Sequence, residues 1–450
     1  MRFQKKAIDD FDRLSEACFD ALGEGEQLTL NLAAEEQQFL RFNNSRVRQS
    51  TSVSQSRLNL CLQSPNRRVV YSFDLTGDLD HDMAASVSLI ERGREELREL
   101  PEDPFVTPLI NHGESQQHHA GRLTETQPLL EQVSTHTKGS DFTGLYAGGP
   151  QLRASCNSEG MRHAFSTESF FLDYSLFTVN AGDENKAVKA LYAGREWDAR
   201  TFEKSVTESR ERLKLLKQDS QPLAPGHYRV FFAPAAAESL LALFSWGALS
   251  YRAWKKGDSA LKRLIEGELQ LSPLFSLSEN FSLGLTPGFN SLGEVAPEQL
   301  EVIAKGALGS LLISSRTAQE YGVMSNGADS GEGFRSPEMG TGELEEADIL
   351  SALNTGIYVS NLHYLNWSDL LNARITGMTR YACFWVENGE IIAPIKDLRF
   401  DESLYRVFGT ELEAVTKTAD ITMKTDTYLQ RSLGGSKVPG VLVRDFRFTL

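Results

Sequence analysis

The dipeptide Asn388-Gly389 constrains the fold more than any other feature of this sequence, because it separates two apolar runs. Residues 381–386 precede it and residues 391–395 follow it, and a further apolar run lies at residues 357–362. Asn-Gly between apolar runs predicts a type I′ turn, since both central residues of that turn need a positive φ. We therefore expect an antiparallel hairpin here and a carboxyl-terminal region built on strands.

Residues 366–380 separate two of these predicted strands and are predominantly polar. Their charged and polar side chains include Asp369, Asn372, Arg374, Thr376, Thr379 and Arg380. We expect a long surface loop held between buried strands, which is a common place for a binding surface. An ordinary hairpin with a solvated loop is the alternative that the pattern leaves open.

The composition is that of a globular protein, and it argues against some classes of function. The 450 residues are enough for two or three domains. The net charge of −15 argues against broad binding to nucleic acid, which needs surfaces rich in Lys and Arg. The sequence has no membrane-length apolar run and no amino-terminal apolar core with a cleavage site. Four widely spaced cysteines indicate reduced thiols, so we expect a cytoplasmic protein.

Helix-like and strand-like periodicities alternate along the first half of the chain and give way to short strands in the second half. The pattern predicts an α+β fold class, with an α/β amino-terminal half followed by a β-rich carboxyl-terminal domain. We place the domains at residues 1–105, 112–217 and 225–450, with a linker at residues 218–226. One almost wholly apolar helix at residues 235–249 is expected to lie buried at the centre of the third domain.

Three histidines, His112, His118 and His119, lie in one polar stretch and raise the question of a metal site. The stretch offers no spaced fourth ligand, and it lacks the cysteines or carboxylates that a closed metal site needs. We interpret it as a solvated linker. The sequence therefore predicts no metal site in this chain.

The sequence carries no motif of a known catalytic class. It contains no H-E-x-x-H, no C-x-x-C, no glycine loop in a strand–helix context and no G-x-S-x-G nucleophile elbow. The glycine-rich segment at residues 326–342 has no helix signal close behind it. We expect this segment to be a flexible connection rather than a phosphate-binding loop.

Three blocks of the sequence resemble the TldD/PmbA (TldD/TldE) family. The first is FLRFNNSRVRQST at residues 39–51, and the second is VFFAPAAAESLL at residues 230–241. The third begins at Gly306 and includes RTAQEY, GIYV, TGMTRYA and FWVENGEIIAPI. Each block is weakly specific alone, but their order and spacing together are specific. The resemblance implies domains of TldD/PmbA type at residues 1–105 and 225–450.

The resemblance implies a zinc peptidase in the TldD branch of the family. In that branch, H-E-x-x-x-H on the helix after the second block supplies two zinc ligands and a general base, and a cysteine near the carboxyl end is the third ligand. Here the corresponding helix reads LLALFSWGALS at residues 240–250, and no histidine lies between His227 and His363. Residues 429–438 contain no cysteine. Both parts of the zinc site are missing, as the resemblance implies for the TldE/PmbA branch.

We therefore expect a TldE-like, non-catalytic subunit of a zinc-dependent peptidase complex that degrades or processes unfolded peptides. The zinc is expected in a TldD-like partner subunit, and this chain is expected to be inactive alone. An added strand would bind peptides through main-chain hydrogen bonds, which tolerate many sequences. No cofactor, direct nucleic-acid contact or membrane contact is expected of this chain, and a homodimer is the alternative assembly.

Two other functions stay open at this point. One is a divergent hydrolase with non-zinc chemistry, for which Cys383 and Asp369 are the catalytic candidates beside Arg374 and Arg380. The apolar surroundings of Cys383 in the sequence are more typical of a buried, inert thiol. The other is a stand-alone peptide-binding protein. A neighbouring gene for a homologue with H-E-x-x-x-H would favour the two-subunit hypothesis over both.

Peptide-binding or interface residues are expected among polar and aromatic side chains of the three blocks. The candidates are Asn44, Arg46, Trp254, Trp367, Arg374 and Arg380. Trp254 and Trp367 have polar sequence neighbours, whereas Trp246 and Trp385 are predicted to lie in the core. Aromatic residues are enriched in the buried centres of protein interfaces, which is why the first two are preferred.

Overall fold

The structure, a computed structural model, describes residues 2–450. The helices and strands of the first half are, in chain order, α1 (Arg2–Asp20), β1 (Gln27–Asn43), β2 (Arg46–Ser64), β3 (Arg67–Asp74), α2 (Leu79–Glu99), β4 (Glu114–His119), α3 (Thr126–Thr137), β5 (Asp141–Asn157), β6 (Arg162–Val179), β7 (Asn185–Gly194) and α4 (Ala199–Leu215). This alternation of helices with long strands agrees with the α/β pattern predicted for this half.

The second half is richer in short strands. Its elements are β8 (Gly226–Phe232), α5 (Pro234–Ala242), α6 (Tyr251–Lys256), α7 (Lys262–Ile265), β9 (Leu277–Asn280), β10 (Gln299–Ala304), β11 (Ala307–Leu308), α8 (Ser315–Tyr321), β12 (Pro337–Met339), α9 (Ile349–Leu353), β13 (Gly356–Val359), β14 (Asn361–Asp369), β15 (Arg374–Arg380), β16 (Phe384–Glu387), β17 (Glu390–Pro394), β18 (Arg399–Ser403), β19 (Leu412–Met423) and β20 (Gly435–Phe448). The predicted α+β fold class, with a β-rich carboxyl-terminal part, is confirmed.

The strands of the first half form one sheet of seven strands within residues 2–450. Its order is β3-β2-β1-β5-β6-β4, and β7 also pairs with β6. The pairs are antiparallel except for β4, which runs parallel to β6. Strands from residues 1–105 and from residues 112–217 thus share a single sheet. Whether these two ranges fold as separate domains stays a prediction.

Alternation along the long strands gives the first sheet two unlike faces. One face is apolar and lies beneath the helices: Leu28 and Leu30 pack with residues of α1 and α2, and Leu40 and Phe42 pack with residues of α3 and α4. The opposite face is polar and is turned toward the second half of the chain. Both faces are therefore covered, the second one by the loops of the carboxyl-terminal part.

The second sheet contains thirteen strands within the described residues. Its main path is β11-β10-β9-β12-β20-β8-β13-β16-β17, and a branch of β14, β15 and β18 joins it at β20. Helix α5 packs against β20, β14, β19 and β8. The apolar helix predicted for this region is thus central and largely buried.

The predicted Asn388-Gly389 turn is confirmed. The φ angles of Asn388 and Gly389 are 51° and 80°, and the turn joins antiparallel β16 and β17. A second turn of this kind joins β1 to β2, where Asn44 and Ser45 have φ angles of 50° and 56°. Both turns join neighbouring antiparallel strands, because the backbone twist of such a turn matches the twist of the strands on either side.

Residues 366–380 are not the long polar loop that we expected. Most of them lie in the antiparallel pair β14 and β15, which is joined by a short 3-10 turn at Leu370–Asn372. Leu362 and Ile375 are buried on the core side of this pair, while alternate residues face solvent. The polarity of the sequence reflects one solvated face of a hairpin.

The apolar helix is shorter than predicted. Helix α5 ends at Ala242 and continues as a 3-10 turn, and Gly247 then reverses the chain with a φ of 87°. The reversal places Trp246 on the surface, with 53% of the residue exposed, so its predicted core position is wrong. The later residues form the separate helix α6.

The segment at residues 326–342 is packed rather than an open, flexible connection. Glu332 is 1% exposed and accepts hydrogen bonds from Ser314 and from the backbone N–H of Arg252. Gly327 has a φ of 75°, and a Cβ there would lie 2.7 Å from the backbone of Ala296. A glycine is therefore required at this close approach.

The histidine-rich stretch is not a solvated linker. His118 and His119 lie in β4, and His118 Nδ1 is 2.8 Å from Ser166 Oγ on β6. The ring of His119 packs 5.4 Å from the ring of Phe165. A helix that could cross a membrane does not occur in the described residues.

Several contacts tie the two halves of the chain together. Asn31 Nδ2 donates to the carbonyl of Ser291 at 3.0 Å, and the rings of His163 and Phe289 stack at 5.3 Å. An apolar cluster joins Phe384 to the aromatic residues of the first sheet. The polar face of the first sheet is therefore a buried interface between the two sheets.

Candidate functional site between helix α5 and the β19–β20 loop

Helix α5 begins where β8 ends and carries the most central helical side chains of the second half. Pro234 occupies the first turn, where its missing N–H costs nothing and its fixed φ suits a helix. Ala236, Ala237 and Leu240 are fully buried against the strands. The small alanine side chains let the helix approach the sheet closely, so any group on its exposed side is held rigidly.

Glu238 is the ionisable group of α5. Burial raises the pKa of Glu238, and the positive charge of Lys424 opposes that rise. Lys424 is the first residue of the loop that joins β19 to β20, at residues 424–434, which we call the β19–β20 loop. Its backbone N–H donates to the carbonyl of Gly434 at 3.1 Å, so the loop closes beside the helix.

The β19–β20 loop reaches across to the polar face of the first sheet through Arg431. The Arg431 guanidinium donates to the carbonyl of Ser169 at 2.6 Å, to Ser169 Oγ at 2.9 Å and to Gln37 Oε1 at 3.2 Å. Its backbone N–H donates to the Glu35 carboxylate at 3.1 Å. Gln151 Nε2 donates to the Arg431 carbonyl at 2.7 Å. This one residue therefore fastens the loop to three strands.

The residues present at this site do not fit a zinc ion. Zinc needs three or four nitrogen, sulfur or oxygen ligands in close geometry. Helix α5 supplies Glu238 alone, and the β19–β20 loop contributes Lys424, Asp426 and Arg431 without His or Cys. Throughout residues 2–450, no three His, Cys, Asp or Glu side chains are grouped so that they could hold a metal ion. The positive charge of Lys424 acts on Glu238 and would repel a bound metal ion.

The fold and this site define a class: an α+β protein of two packed sheets, with a buried central helix that lacks metal ligands. The model of the PmbA/TldA metallopeptidase C-terminal domain matches residues 225–450, which is half of the chain. The chain belongs to the TldD/PmbA family. The predicted family is thereby confirmed, and the matched residues include the second and third sequence blocks.

Individual relatives are similar at lower identity. The chain is 26% identical to the metalloprotease PmbA of Escherichia coli O157:H7 over 287 residues, which cover 62% of this chain and 60% of that relative. In structure it is similar to TldE from Thermococcus kodakarensis, with a TM-score of 0.78, 15% identity and coverage of 99% and 100% of the two chains. A protein of Thermotoga maritima gives a TM-score of 0.76 at 15% identity, with coverage of 98% and 100%. The structural similarities concern the fold.

The candidate residues Asn44 and Arg46 lie at the tip of the β1–β2 hairpin. Together with Asn43, Val47 and Arg48 they border an open surface depression. Residues 46–50 of β2 are exposed, and β3 pairs with β2 only from Arg57 onward. The tip is therefore an accessible, positively charged edge, and it lies apart from helix α5 in the fold.

Three further candidates gather at the turn end of the β14–β15 hairpin. Asp369 is opposite Arg374 in the strand register, and Trp367 is opposite Ile375. Arg374 Nε donates to Asp401 Oδ1 at 2.9 Å, so this guanidinium is paired across to β18. The Trp367 ring packs against the core, and its Nε1 is buried without a hydrogen-bond partner.

The hydrolase candidates are not brought together. Hydrogen bonds from Asn372 lower the pKa of Asp369, which ends β14 and begins the turn. Cys383 lies beyond the other end of β15, where its Sγ is 3.2 Å from the Arg380 carbonyl. Burial raises the pKa of Cys383 to about 11. A protonated, buried thiol remote from the Asp369 carboxylate is not an activated nucleophile.

The remaining candidates occupy unconnected places. Arg380 pairs with Asp397 at 3.4 Å on the surface. Trp254 lies in α6 with its ring against the core and with Lys255 Nζ 4.1 Å from the ring centroid. Trp385 is partly buried, and its Nε1 donates to Glu387 at 2.7 Å.

Sequence reasoning missed the two central residues of the site, Glu238 and Arg431. Glu238 appeared only as the last carboxylate before an apolar run, and Arg431 stood in a segment noted for its missing cysteine. No pattern in the sequence around Arg431 marks it as a buried residue. Its burial could not be read from the sequence, because it depends on the docking of two distant sheets.

Proposed function

We propose that this chain is a non-catalytic, TldE-like subunit that pairs with a zinc-bearing TldD-like peptidase and helps to hold unfolded peptides. The observation that carries the proposal is helix α5, which occupies the centre of a metallopeptidase-family fold without a single histidine. Lys424, whose charge acts on Glu238 of this helix, is a cation and disfavours a bound metal ion. Hydrolysis would therefore take place on the partner subunit.

A free strand edge beside α5 supports peptide binding. Strand β14 pairs with β15 on one side, and no other strand of the described residues pairs with it. Helix α5 packs against β14, so this edge runs close to the helix. An edge strand presents unpaired N–H and C=O groups, to which an extended peptide can add without a sequence requirement. The exposed side chains His363, Tyr364 and Asn366 flank that edge.

A homodimer and a stand-alone peptide-binding protein remain the competing assemblies. Both would present the same edge of β14 to a peptide. They differ from the proposal in that neither produces hydrolysis, because no subunit would carry a metal site. Activity of a reconstituted pair is therefore the deciding measurement.

The test is reconstitution with a family member that carries H-E-x-x-x-H. This chain, the partner and their mixture are assayed on a fluorogenic unstructured peptide, and zinc is measured after gel filtration. We expect one stable complex, zinc in the partner alone, and hydrolysis that rises with the amount of this chain until a fixed ratio is reached. Hydrolysis by this chain alone, or stoichiometric zinc in it after dialysis against a mild chelator, would overturn the proposal.

A further inference from the structure

The outer edge of β2 is free over residues 46–55, and we call this part of the strand the β2 edge. Strand β1 pairs with the whole of β2, whereas β3 pairs with it only from Arg57 onward. Within residues 2–450, no other strand pairs with the β2 edge. The edge contains no proline or lysine that would hinder pairing with another chain. It is therefore open to an added strand.

Three serines of the β2 edge present their backbone groups outward. The N–H of Leu75, just after β3, donates to the Ser56 carbonyl at 2.8 Å, so Ser56 faces the outer side. Backbone groups of successive residues in an antiparallel strand point alternately to its two sides. The residues that face outward before Ser56 are therefore Ser54, Ser52 and Ser50, and all three are exposed. Each offers one N–H and one C=O group to an added strand.

An added strand has to end beside Ser54, because Leu75 already occupies the position opposite Ser56. A cavity of about 250 Å³ opens at this point. Its walls come from Ser54, from α1 and from the residues around the start of α2, and its apolar side chains include Phe3 and Phe11. A cavity of this size and lining accommodates one large apolar side chain.

The cavity lies on the face of the sheet to which a residue paired with Ser54 would point. Ser54 is opposite Glu36 in the register with β1, and Leu32, four residues before Glu36, packs with residues of α1. Side chains of cross-strand partners lie on the same face of a sheet. The last residue of an added strand, opposite Ser54, would thus direct its side chain toward α1 and the cavity.

The two ends of the β2 edge differ in charge. Asp10, Glu36 and Asp82 line the cavity with a single cation, Lys6, which pairs with Asp10 at 2.6 Å. Asp82 accepts hydrogen bonds from the backbone N–H groups just before α2. Glu36 is exposed, and it forms no hydrogen bond or ion pair through its side chain within the described residues. Glu36 is therefore the carboxylate that is most available to a ligand.

The opposite end of the β2 edge is basic. Arg46 and Arg48 are exposed there, close to the turn that joins β1 to β2. An extended chain on the β2 edge would consequently meet negative charge at the cavity and positive charge at the turn. This charge distribution distinguishes the two directions in which a chain could lie on the edge.

We propose that the β2 edge binds the amino-terminal segment of an extended peptide, with an apolar first residue in the cavity. A chain end is needed because Leu75 blocks any continuation of the strand. It is the amino end because the Glu36 carboxylate attracts an ammonium group and repels a terminal carboxylate. The peptide then runs antiparallel to β2 and approaches the turn with its later residues.

The register follows from the three outward serines. The first, third and fifth residues of the peptide pair with Ser54, Ser52 and Ser50 through main-chain hydrogen bonds. The seventh residue lies at Arg48, so an acidic residue is favoured near that position. Main-chain pairing makes the intervening residues tolerant of sequence.

The inference rests on the proposed function, in which this chain helps to hold unfolded peptides, and it names the end of the peptide that is recognised. Gln55 lines the cavity and donates from Nε2 to the carbonyl of Leu429 in the β19–β20 loop at 2.9 Å. The cavity therefore adjoins the loop of the candidate functional site. The free edge of β14 belongs to the other sheet and is a separate contact.

The experiment measures binding of the peptide LTSTSTDD to the full-length protein alone, by fluorescence anisotropy of a dye at the carboxyl end of the peptide. We expect saturable binding. Acetylation of the amino end should weaken it about tenfold, since a charge-assisted interaction is lost. N-methylation of the third residue, whose N–H faces Ser52, should weaken it at least as much. N-methylation of the second residue, whose N–H faces away from β2, is the control and should have little effect.

Two variants with matched controls locate the binding. Glu36→Gln should weaken binding of the free-amine peptide about tenfold and leave the acetylated peptide unaffected. Glu114→Gln, exposed in β4 of the same sheet, should bind like the wild type. Ala7→Leu fills the cavity and should weaken binding about tenfold, whereas Ala17→Leu, on the same helix outside the cavity, should not.

An absence of binding, equal affinity for the free-amine and acetylated peptides, or equal effects of the two N-methylations would overturn the inference. Unchanged binding by both Glu36→Gln and Ala7→Leu would place the peptide at another edge and overturn it as well. A dimer in analytical ultracentrifugation that does not bind the peptide would show that a second copy covers the β2 edge, with the same consequence.

The outcomes separate this inference from the proposed function. If the reconstituted complex hydrolyses peptides but Glu36→Gln and acetylation have no effect on binding, the inference fails while the proposed function stands. If no complex forms but the peptide binds through Glu36, the proposed function fails and the β2 edge remains a binding site for amino-terminal segments.

Discussion

Glu332 shows how one buried carboxylate fixes a whole segment. Its two oxygens accept hydrogen bonds from Ser250 Oγ, from Ser314 Oγ at 2.9 Å and from the backbone N–H groups of Ser314 and Arg252. Burial alone would raise the pKa of Glu332, but these donors together outweigh it and the pKa is lowered. A carboxylate that collects several donors is the physical reason that residues 326–342 are ordered.

We expect Glu332→Gln to destabilise the protein by about 1–3 kcal/mol at pH 7, because the amide group presents N–H donors to N–H donors. A pKa lowered by folding stabilises the protein above the unfolded value of 4.5, and the stabilisation is lost as the pH falls through the folded value. The difference between variant and wild type should therefore shrink below pH 4.5. Urea unfolding at pH 7 and at successively lower pH measures this, with exposed Glu343→Gln as the control. A difference that stays constant with pH would contradict the prediction.

The cysteines give a second prediction at the scale of single residues. Burial raises the pKa of Cys383 to about 11 from an ordinary value of 9.0, so thiolate is scarce at neutral pH. Alkylation of Cys383 by iodoacetamide at pH 8 should be about 100-fold slower in the native protein than in urea, because the thiolate is the reacting form. Mass spectrometry of the alkylated peptides gives both rates. Fast native alkylation, or loss of peptide hydrolysis by the complex on Cys383→Ala, would revive the hydrolase hypothesis.

The β14–β15 hairpin is the element that we expect to contact a partner or a peptide. Tyr364 adopts a φ of 54° and is 76% exposed at a bulge in β14, while Trp367 is half-buried two residues beyond the bulge. A left-handed conformation is costly for an aromatic residue, and such strain often occurs at functional sites. The exposed aromatic ring and the free edge of β14 are adjacent, so one peptide could contact both.

We expect Trp367→Ala to weaken the complex or its peptide binding by about 1–3 kcal/mol, as for an aromatic anchor. Because the Trp367 ring also packs on the core, Tyr364→Ala is the second variant and should act in the same direction without loss of stability. Trp246→Ala tests an exposed tryptophan outside the hairpin and should have no effect. Titration of the two subunits with the fluorogenic peptide provides the measurement. An effect of Trp246→Ala alone would place the interface next to α5 instead.

Local sequence signals predicted the structure correctly where a particular residue type fixes the backbone angles. Asn388-Gly389 predicts the correct turn, because both residues adopt the positive φ that a type I′ turn needs. The polar strand β14 was missed since solvated edge strands lack apolar alternation on both faces. The apolar run at residues 235–249 predicts one helix, because a single glycine at residue 247 does not show whether the helix ends there or continues. In both cases, contacts between residues that are far apart in the sequence determined the structure.

For the functional site, the sequence predicts only which residues are missing. The absence of histidine from α5 is readable from the sequence, and it remains the main argument about function. Arg431 and Glu238 acquire their surroundings from strands far away in the chain, such as β1 and β6 for Arg431. No periodicity of a single segment encodes such a contact, so only the docked sheets reveal it.

At the scale of the whole molecule, the β19–β20 loop is one of the contacts that join the two sheets. The loop buries a guanidinium in a polar interface, where Gln37 and Ser169 supply its acceptors and Glu35 holds its backbone. Asn31 and His163 make further contacts on this polar face, while an apolar cluster joins Phe384 to the first sheet. The polar part of the interface gains little from the hydrophobic effect, so specific hydrogen bonds must account for what it contributes to the docking.

We therefore expect Arg431→Ala to destabilise the docking of the two sheets, by on the order of 3 kcal/mol, because several acceptors lose a charged donor together. Wild-type protein should unfold in one calorimetric transition, whereas the variant should show two as the halves begin to unfold separately. Exposed Arg444→Ala is the control and should keep the single transition at an unchanged temperature. A single, merely shifted transition in Arg431→Ala would mean that the apolar cluster around Phe384 suffices to couple the halves. In that event the buried charge of Arg431 would contribute little to holding the two halves together.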